Sequence, residues 1–319
     1  MDAAAGWPPA AALAVAAGAN LAANAVLALT WGDIVAAAGT RLDRSLAAWI
    51  WASSQLSRYL IGGAQIAGRA VVAARHGVTL RTGGASAVIE VILAFCVASA
   101  AALATVPSWA GDADAVRWLG AVAVVPAGLF VSLVVAPGPT TRVLAGAMAR
   151  LPAAAGRFGS LARDRIPPTG LLARVAALML TNFAIRVAGF AVLVAGASEG
   201  VGAGRLVGAY ALGQVAGRVA IFAPGGVGPR EGVTALVLAP VTGMGGAVAI
   251  VAAARLVEVV AELGFLGIAF GAFRRHAARR RSEVVEVGPG EPPRPLGEVE
   301  AIEAPATVER DHAKGEAPG

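Results

Sequence analysis

Across 319 residues the chain is 57% hydrophobic and 14% charged, with a mean hydropathy of +0.70. A soluble domain carries about a quarter charged residues, so this composition excludes an ordinary soluble globule and points to an all-α polytopic membrane protein. The net charge of +6 hides an asymmetry, because 282–319 holds nine acidic and three basic residues against 11 acidic and 23 basic before it. A basic excess of that kind suits an anionic leaflet. The arginines are scattered among apolar spans, not gathered on a soluble face, so nucleic acid is not an expected partner. Cys96 is the one cysteine, which rules out an intrachain disulfide; in its apolar span it reads as a core filler. The N-terminus lacks the basic start of a cleaved signal peptide.

Ala10 to Leu29 is free of charge and long enough to span, with Trp7 and Trp31 as interfacial anchors. Arg41 and Arg44 follow it, which predicts an external N-terminus and a cytoplasmic loop. Leu46 to Ala67 is interrupted by Arg58 and by Gly62-Gly63, and Arg69, Arg75 and Arg81 come after. With basic loops on both sides, it reads as a segment that dips in and returns, or as an amphipathic interfacial helix.

Ala87 to Val106 spans outward with Glu90 as its one charge, and Trp109, Asp112 and Asp114 mark an external loop. Trp118 to Ala136 returns. The Arg-rich stretch 137–170 is cytoplasmic by its charge, and Val175 to Ser198 crosses outward with Arg186 at its middle. Leu206–Phe222 then meets Pro224, Gly225, Gly226 and Gly228, residues that break helices. Val233–Ala239 is too short to cross, so Leu206–Ala239 reads as a hairpin entered from outside. The other reading is one full span over Gly232–Ala254, against which Pro240, Gly243, Gly245 and Gly246 argue.

Ala247 to Phe273 crosses inward and ends in a cluster of arginines over 274–281, a stop-transfer anchor or a lipid site. Residues 282–319, with six prolines and no aromatic residue, are expected to be disordered. The domains are thus a membrane domain over 1–281 and an acidic tail over 282–319. In all, about five full transmembrane helices and two re-entrant broken-helix hairpins are predicted, arranged as an inverted repeat. Each break carries a double glycine, Gly62-Gly63 and Gly225-Gly226. Repeats of this kind place a binding site near the midplane, where the breaks meet.

Arg218-x3-Phe222-x-Pro224-Gly-Gly-Val-Gly-Pro-Arg-Glu231, followed by Arg255-Leu-Val-Glu258, resembles the second-half signature of a bacterial family of membrane proteins. That family contains the membrane domain of lysylphosphatidylglycerol synthase and stand-alone flippase-like proteins. Ser57-Arg-Tyr-Leu-Ile-Gly-Gly63, Gly68-Arg69, His76-Gly77-Val78 and Glu90 resemble its first-half motif, with Ile61 where the family commonly has proline. The resemblance covers about 10 to 273. Family members usually begin with one more transmembrane helix. The stretch 282–319 is too short for an aminoacyl-transferase domain, so lysyl transfer is not expected of this chain alone. What the resemblance implies is a plasma-membrane flippase for a cell-envelope lipid, with no catalytic residues.

An anionic headgroup crosses hydrocarbon only if its charge is met inside the protein. Arginine stays charged and can bind phosphate with two parallel hydrogen bonds. The candidate headgroup-binding residues are Arg58, Arg69, Glu90, Arg186, Arg218, Arg230, Glu231, Arg255 and Glu258, all ionisable at membrane depth. The competing role is structural: ion pairs that lock hairpins to spans, such as Arg255 with Glu258 one helical turn on. Arg69 can also act only in setting topology.

His76, His276 and His312 show no metal-ligand spacing, there is no P-loop, and Gly225-Gly-Val-Gly228 has no βαβ context. No cofactor, no metal and no enzymatic activity are expected. The expected function is movement of an anionic phospholipid or lipid-linked glycan precursor between leaflets. The alternative is a non-transporting scaffold for a lipid-processing enzyme or glycosyltransferase. A homo-oligomer is left open.

Overall fold

The computed structural model describes residues 6–60, 63–108, 113–136, 138–140, 169–220, 223 and 226–286, and every regular element among them is helical. The helices are α1 (Ala10–Ala37), α2 (Arg44–Gln55), α3 (Ala64–Ala74), α4 (Leu80–Thr105), α5 (Ala113–Val135), α6 (Thr169–Ala197), α7 (Ala203–Val219) and α8 (Pro229–Glu286). The chain divides into a unit up to Arg275 and a second from His276. In the second, helix continues to Glu286, past the 281/282 boundary at which disorder was expected. The rest of the tail (287–319), most of the basic stretch 137–170, Trp109, Asp112, Gly62, Pro224 and Gly225 lie outside the described residues.

Four helical stretches are long and apolar enough to cross a membrane: Ala10–Ala37, Leu80–Thr105, Ala173–Ala197 and Pro229–Arg279. The fifth predicted span, α5, holds a shorter apolar stretch, Ala123–Leu133. The polarity of the fold suits a membrane. On the second arm of α8, Leu256, Val260 and Leu263 face outward, whereas Glu258, Glu262 and Phe265 are buried on the other side. In water that pattern would be reversed.

Small residues set the closest approaches. Ala12, Ala16 and Ala23 of α1 are buried against α6, where a Cβ on Gly189 would come within 3.0 Å of Ala19 Cβ. Without a hydrophobic force between helices in lipid, such close backbone contact is what holds them. Asn182 adds a hydrogen bond from its Nδ2 to the Ala23 carbonyl at 2.7 Å.

Both predicted breaks are present. After α2 the chain passes through a 3-10 turn, Leu56–Tyr59, and α3 begins after Gly63, at φ 80°. α7 ends at Val219, and α8 starts at Pro229 after Gly226 (φ 71°) and Gly228 (φ 96°). Pro229 loses nothing at the first helical position. Glu231 reaches back to accept from the Gly228 N–H at 2.8 Å, the N3 half of a capping box.

The first arm of α8 packs along α7. A Cβ on Gly213 would strike the Thr234 hydroxyl, and one on Gly217 would lie 3.0 Å from Arg230 Cβ. The arm was predicted to stop before Pro240. It continues to Thr242 and breaks at Gly243 (φ 70°, ψ 157°), a length of roughly 20 Å at 1.5 Å per residue. Pro240 falls within the helix, and the dihedrals at 243 are ones that glycine alone adopts readily.

Gly226→Ala tests the second turn. Its Cβ would be 3.0 Å from the Gly217 carbonyl oxygen and 3.1 Å from Gly217 Cα, at a positive φ. The expected cost is about 2 kcal/mol or more, read as a lower Tm in detergent. Gly228→Ala, also at positive φ but in open space, should cost less, about 1 kcal/mol. Equal losses would mean that the approach to Gly217 is unimportant.

Candidate functional site

The two breaks border one cavity of about 350 Å³, with Gly63 from the first and Gly226 from the second in its wall. That volume is in the range of small-molecule sites. Of the sequence candidates, Arg58, Arg69, Glu90, Arg186, Arg218, Arg230 and Glu258 line it. Arg255 and Glu231 sit beside it, around a small pocket that also touches Arg230. All nine candidates are therefore gathered at one place, though they are drawn from α3, α4, α6, α7, both arms of α8 and the turn after α2.

Glu258 is the hub. Arg230 Nη1 donates to its carboxylate, 2.7 Å from Oε2 and 3.0 Å from Oε1. Arg255 lies 3.3 Å away, Arg58 3.5 Å and Arg186 4.0 Å. The carboxylate is 8% exposed. A charge so enclosed is tolerable only with partners of opposite sign, and here the partners come from both arms of α8, from α6 and from the turn after α2. One helical turn on, Glu262 pairs with Arg58 and accepts from the Tyr59 hydroxyl at 2.7 Å. Tyr59 lies between two guanidiniums, Arg58 at 5.1 Å and Arg255 at 5.4 Å from its ring centre, a favourable cation–π arrangement.

A second cluster lies beside the first break. Arg69, 1% exposed, donates to Glu90 Oε2 at 2.5 Å and to Ser54 Oγ at 3.1 Å. Trp51 Nε1 donates to the same carboxylate at 3.1 Å, and the guanidinium stacks near Trp31 and Trp51. Arg69 and Glu90 thus satisfy each other, which ties α3 to α4.

Two arginines differ. Arg186 donates to the neutral amide oxygens of Asn20 (2.8 Å) and Asn24 (2.7 Å). Arg218 hydrogen-bonds Gln214, one turn earlier on its own helix, and has no ion pair among the described residues.

Glu231 makes contacts of another kind. Its carboxylate caps α8 and lies 3.7 Å from Arg255, so its observed contacts are those of a helix cap and a tether. Sequence reasoning missed Glu262, Asn24, Asn182, Gln55 and Gln214, all in the cavity wall. Glu262 was findable as the i+4 partner of Glu258 on an apolar helix. The amides carry no charge to mark them. Among the described residues no three His, Cys, Asp or Glu side chains group to hold a metal ion.

No family model, curated protein or solved structure matches the chain.

Proposed function

We propose that the protein is a flippase-type transporter that moves an anionic lipid headgroup between leaflets, as a stand-alone relative of the lysylphosphatidylglycerol synthase membrane domain. In this reading α2–α3 and α7 with the first arm of α8 are re-entrant hairpins of an inverted repeat. They enter a bacterial plasma membrane from opposite sides, with the N-terminus outside and the C-terminus in the cytoplasm. The observation that carries the reading is the single charged cavity where the two helix breaks meet. Irregular backbone at membrane depth is tolerated where it lines such a chamber, and broken helices around a central site are how many transporters alternate access.

Full-length protein in liposomes tests this with two fluorescent lipids, a phosphatidylglycerol and a prenyl phosphate. At least one should exchange between leaflets faster than in protein-free vesicles, and Arg230→Ala should abolish the gain. Arg58 and Arg255 still reach Glu258 in that variant, so its elution as folded protein should be unchanged. Exchange of both lipids at the protein-free rate would leave the scaffold reading in its place.

A further inference from the structure

The charges around the chamber do not cancel. Six arginines, Arg58, Arg69, Arg186, Arg218, Arg230 and Arg255, meet four carboxylates, Glu90, Glu231, Glu258 and Glu262. Contacts assign the carboxylates one to one: Glu90 to Arg69, Glu262 to Arg58, Glu258 to Arg230 and Glu231 to Arg255. Arg186 and Arg218 remain. Both line the chamber, and among the described residues neither has a carboxylate closer than the 4.0 Å from Arg186 to the already shared Glu258.

With four carboxylates shared among six arginines, the site carries an excess of two positive charges, which is costly where the groups are buried. The wall beside them is made of amides. Asn24 is 1% exposed, gives its oxygen to Arg186, and keeps its Nδ2 without a hydrogen-bond partner. It is a buried donor in the chamber wall, and a buried donor without an acceptor is itself unfavourable.

We propose that the chamber takes a doubly charged phosphate, a phosphate monoester or a diphosphate diester, seated between Arg186 and Arg218. The proposal rests on the transport reading for its lipid tail, and on the charge count for its headgroup. Two charges neutralise the excess, whereas a phosphodiester such as phosphatidylglycerol brings one. The paired arginines, Arg58, Arg69 and Arg230, hold the walls, and the two remaining ones hold the ligand.

The test is thermal unfolding of the full chain in detergent at pH 8, where a phosphate monoester is close to doubly charged because its second pKa is about 6. The probes are farnesyl phosphate, a short-chain phosphatidylglycerol and inorganic phosphate. Farnesyl phosphate at saturation should raise Tm by several degrees, and phosphatidylglycerol by less than half as much. Arg218→Gln and Arg186→Gln should each lose most of the farnesyl phosphate shift. Without ligand, Arg218→Gln should unfold at the parent temperature or above, because it removes a charge that nothing neutralises; a purely structural arginine would lower it.

Equal or larger shifts with phosphatidylglycerol, no shift with any probe, or a full shift retained in Arg218→Gln would each overturn the proposal. Inorganic phosphate matching farnesyl phosphate would keep the doubly charged site and assign it to a free anion. Binding of farnesyl phosphate without leaflet exchange of any lipid would keep the site and sink the transport reading.

Discussion

Glu258→Ala should lower Tm by on the order of 10 °C and leave no lipid exchange. Removing one member of a buried ion cluster strands its partners, which costs about 3–5 kcal/mol, and each kcal/mol is worth about 2–4 °C in a chain of this general size. Here the stranded group is Arg230, with Arg58 left to Glu262 and Arg255 to Glu231. The second arm of α8 would lose its tightest tie to the first arm and one of its two ties to the turn after α2. Thermal unfolding followed by light scattering measures the loss. A fall of only 1–2 °C would mean that the four arginines are solvated and that the hub carries little of the fold.

The Arg69–Glu90 pair should show the second-largest effect, and it separates by a double-mutant cycle. Arg69→Met leaves Glu90 charged with only the Trp51 N–H donating to it, and Glu90→Gln leaves Arg69 charged at 1% exposure. Each change alone should cost about 3–5 kcal/mol. The combination should recover most of the loss, since glutamine keeps a carbonyl acceptor for Trp51 and no charge is left buried. A coupling below about 0.5 kcal/mol, the ordinary scatter for independent sites, would show that the two groups do not neutralise each other.

The charges and the helix breakers were the legible part of this chain. Pro224, Gly225, Gly226 and Gly228 placed the second break in the right interval, and Gly62-Gly63 the first, because proline and glycine act on the backbone locally. Pro240 misled, since local propensity does not tell how neighbouring helices re-satisfy a freed carbonyl; Gly243, three residues further on, is where the helix yields. For the site, isolated charges in apolar spans were enough to pick out all nine candidates. Their division of labour was not legible. Whether an arginine meets a carboxylate or an amide depends on helix rotation, and Arg69 with Glu90 looked the same in sequence as Arg186 with Asn24.

The link from Arg58 to Glu258 spans 200 positions of sequence, and this orders the protein's assembly during synthesis. Arg69 and Glu90 are only 21 positions apart, so α3 can be fastened to α4 soon after α4 leaves the ribosome. Arg58 then waits for the last helix, about 10–40 s at typical elongation rates of 5–20 residues per second. Over that interval its guanidinium has no carboxylate from α8 to meet, so insertion of the first half has to stand on its own early fastening. Nascent chains arrested before Glu258 should therefore depend on Arg69 and Glu90 more heavily than the finished protein does.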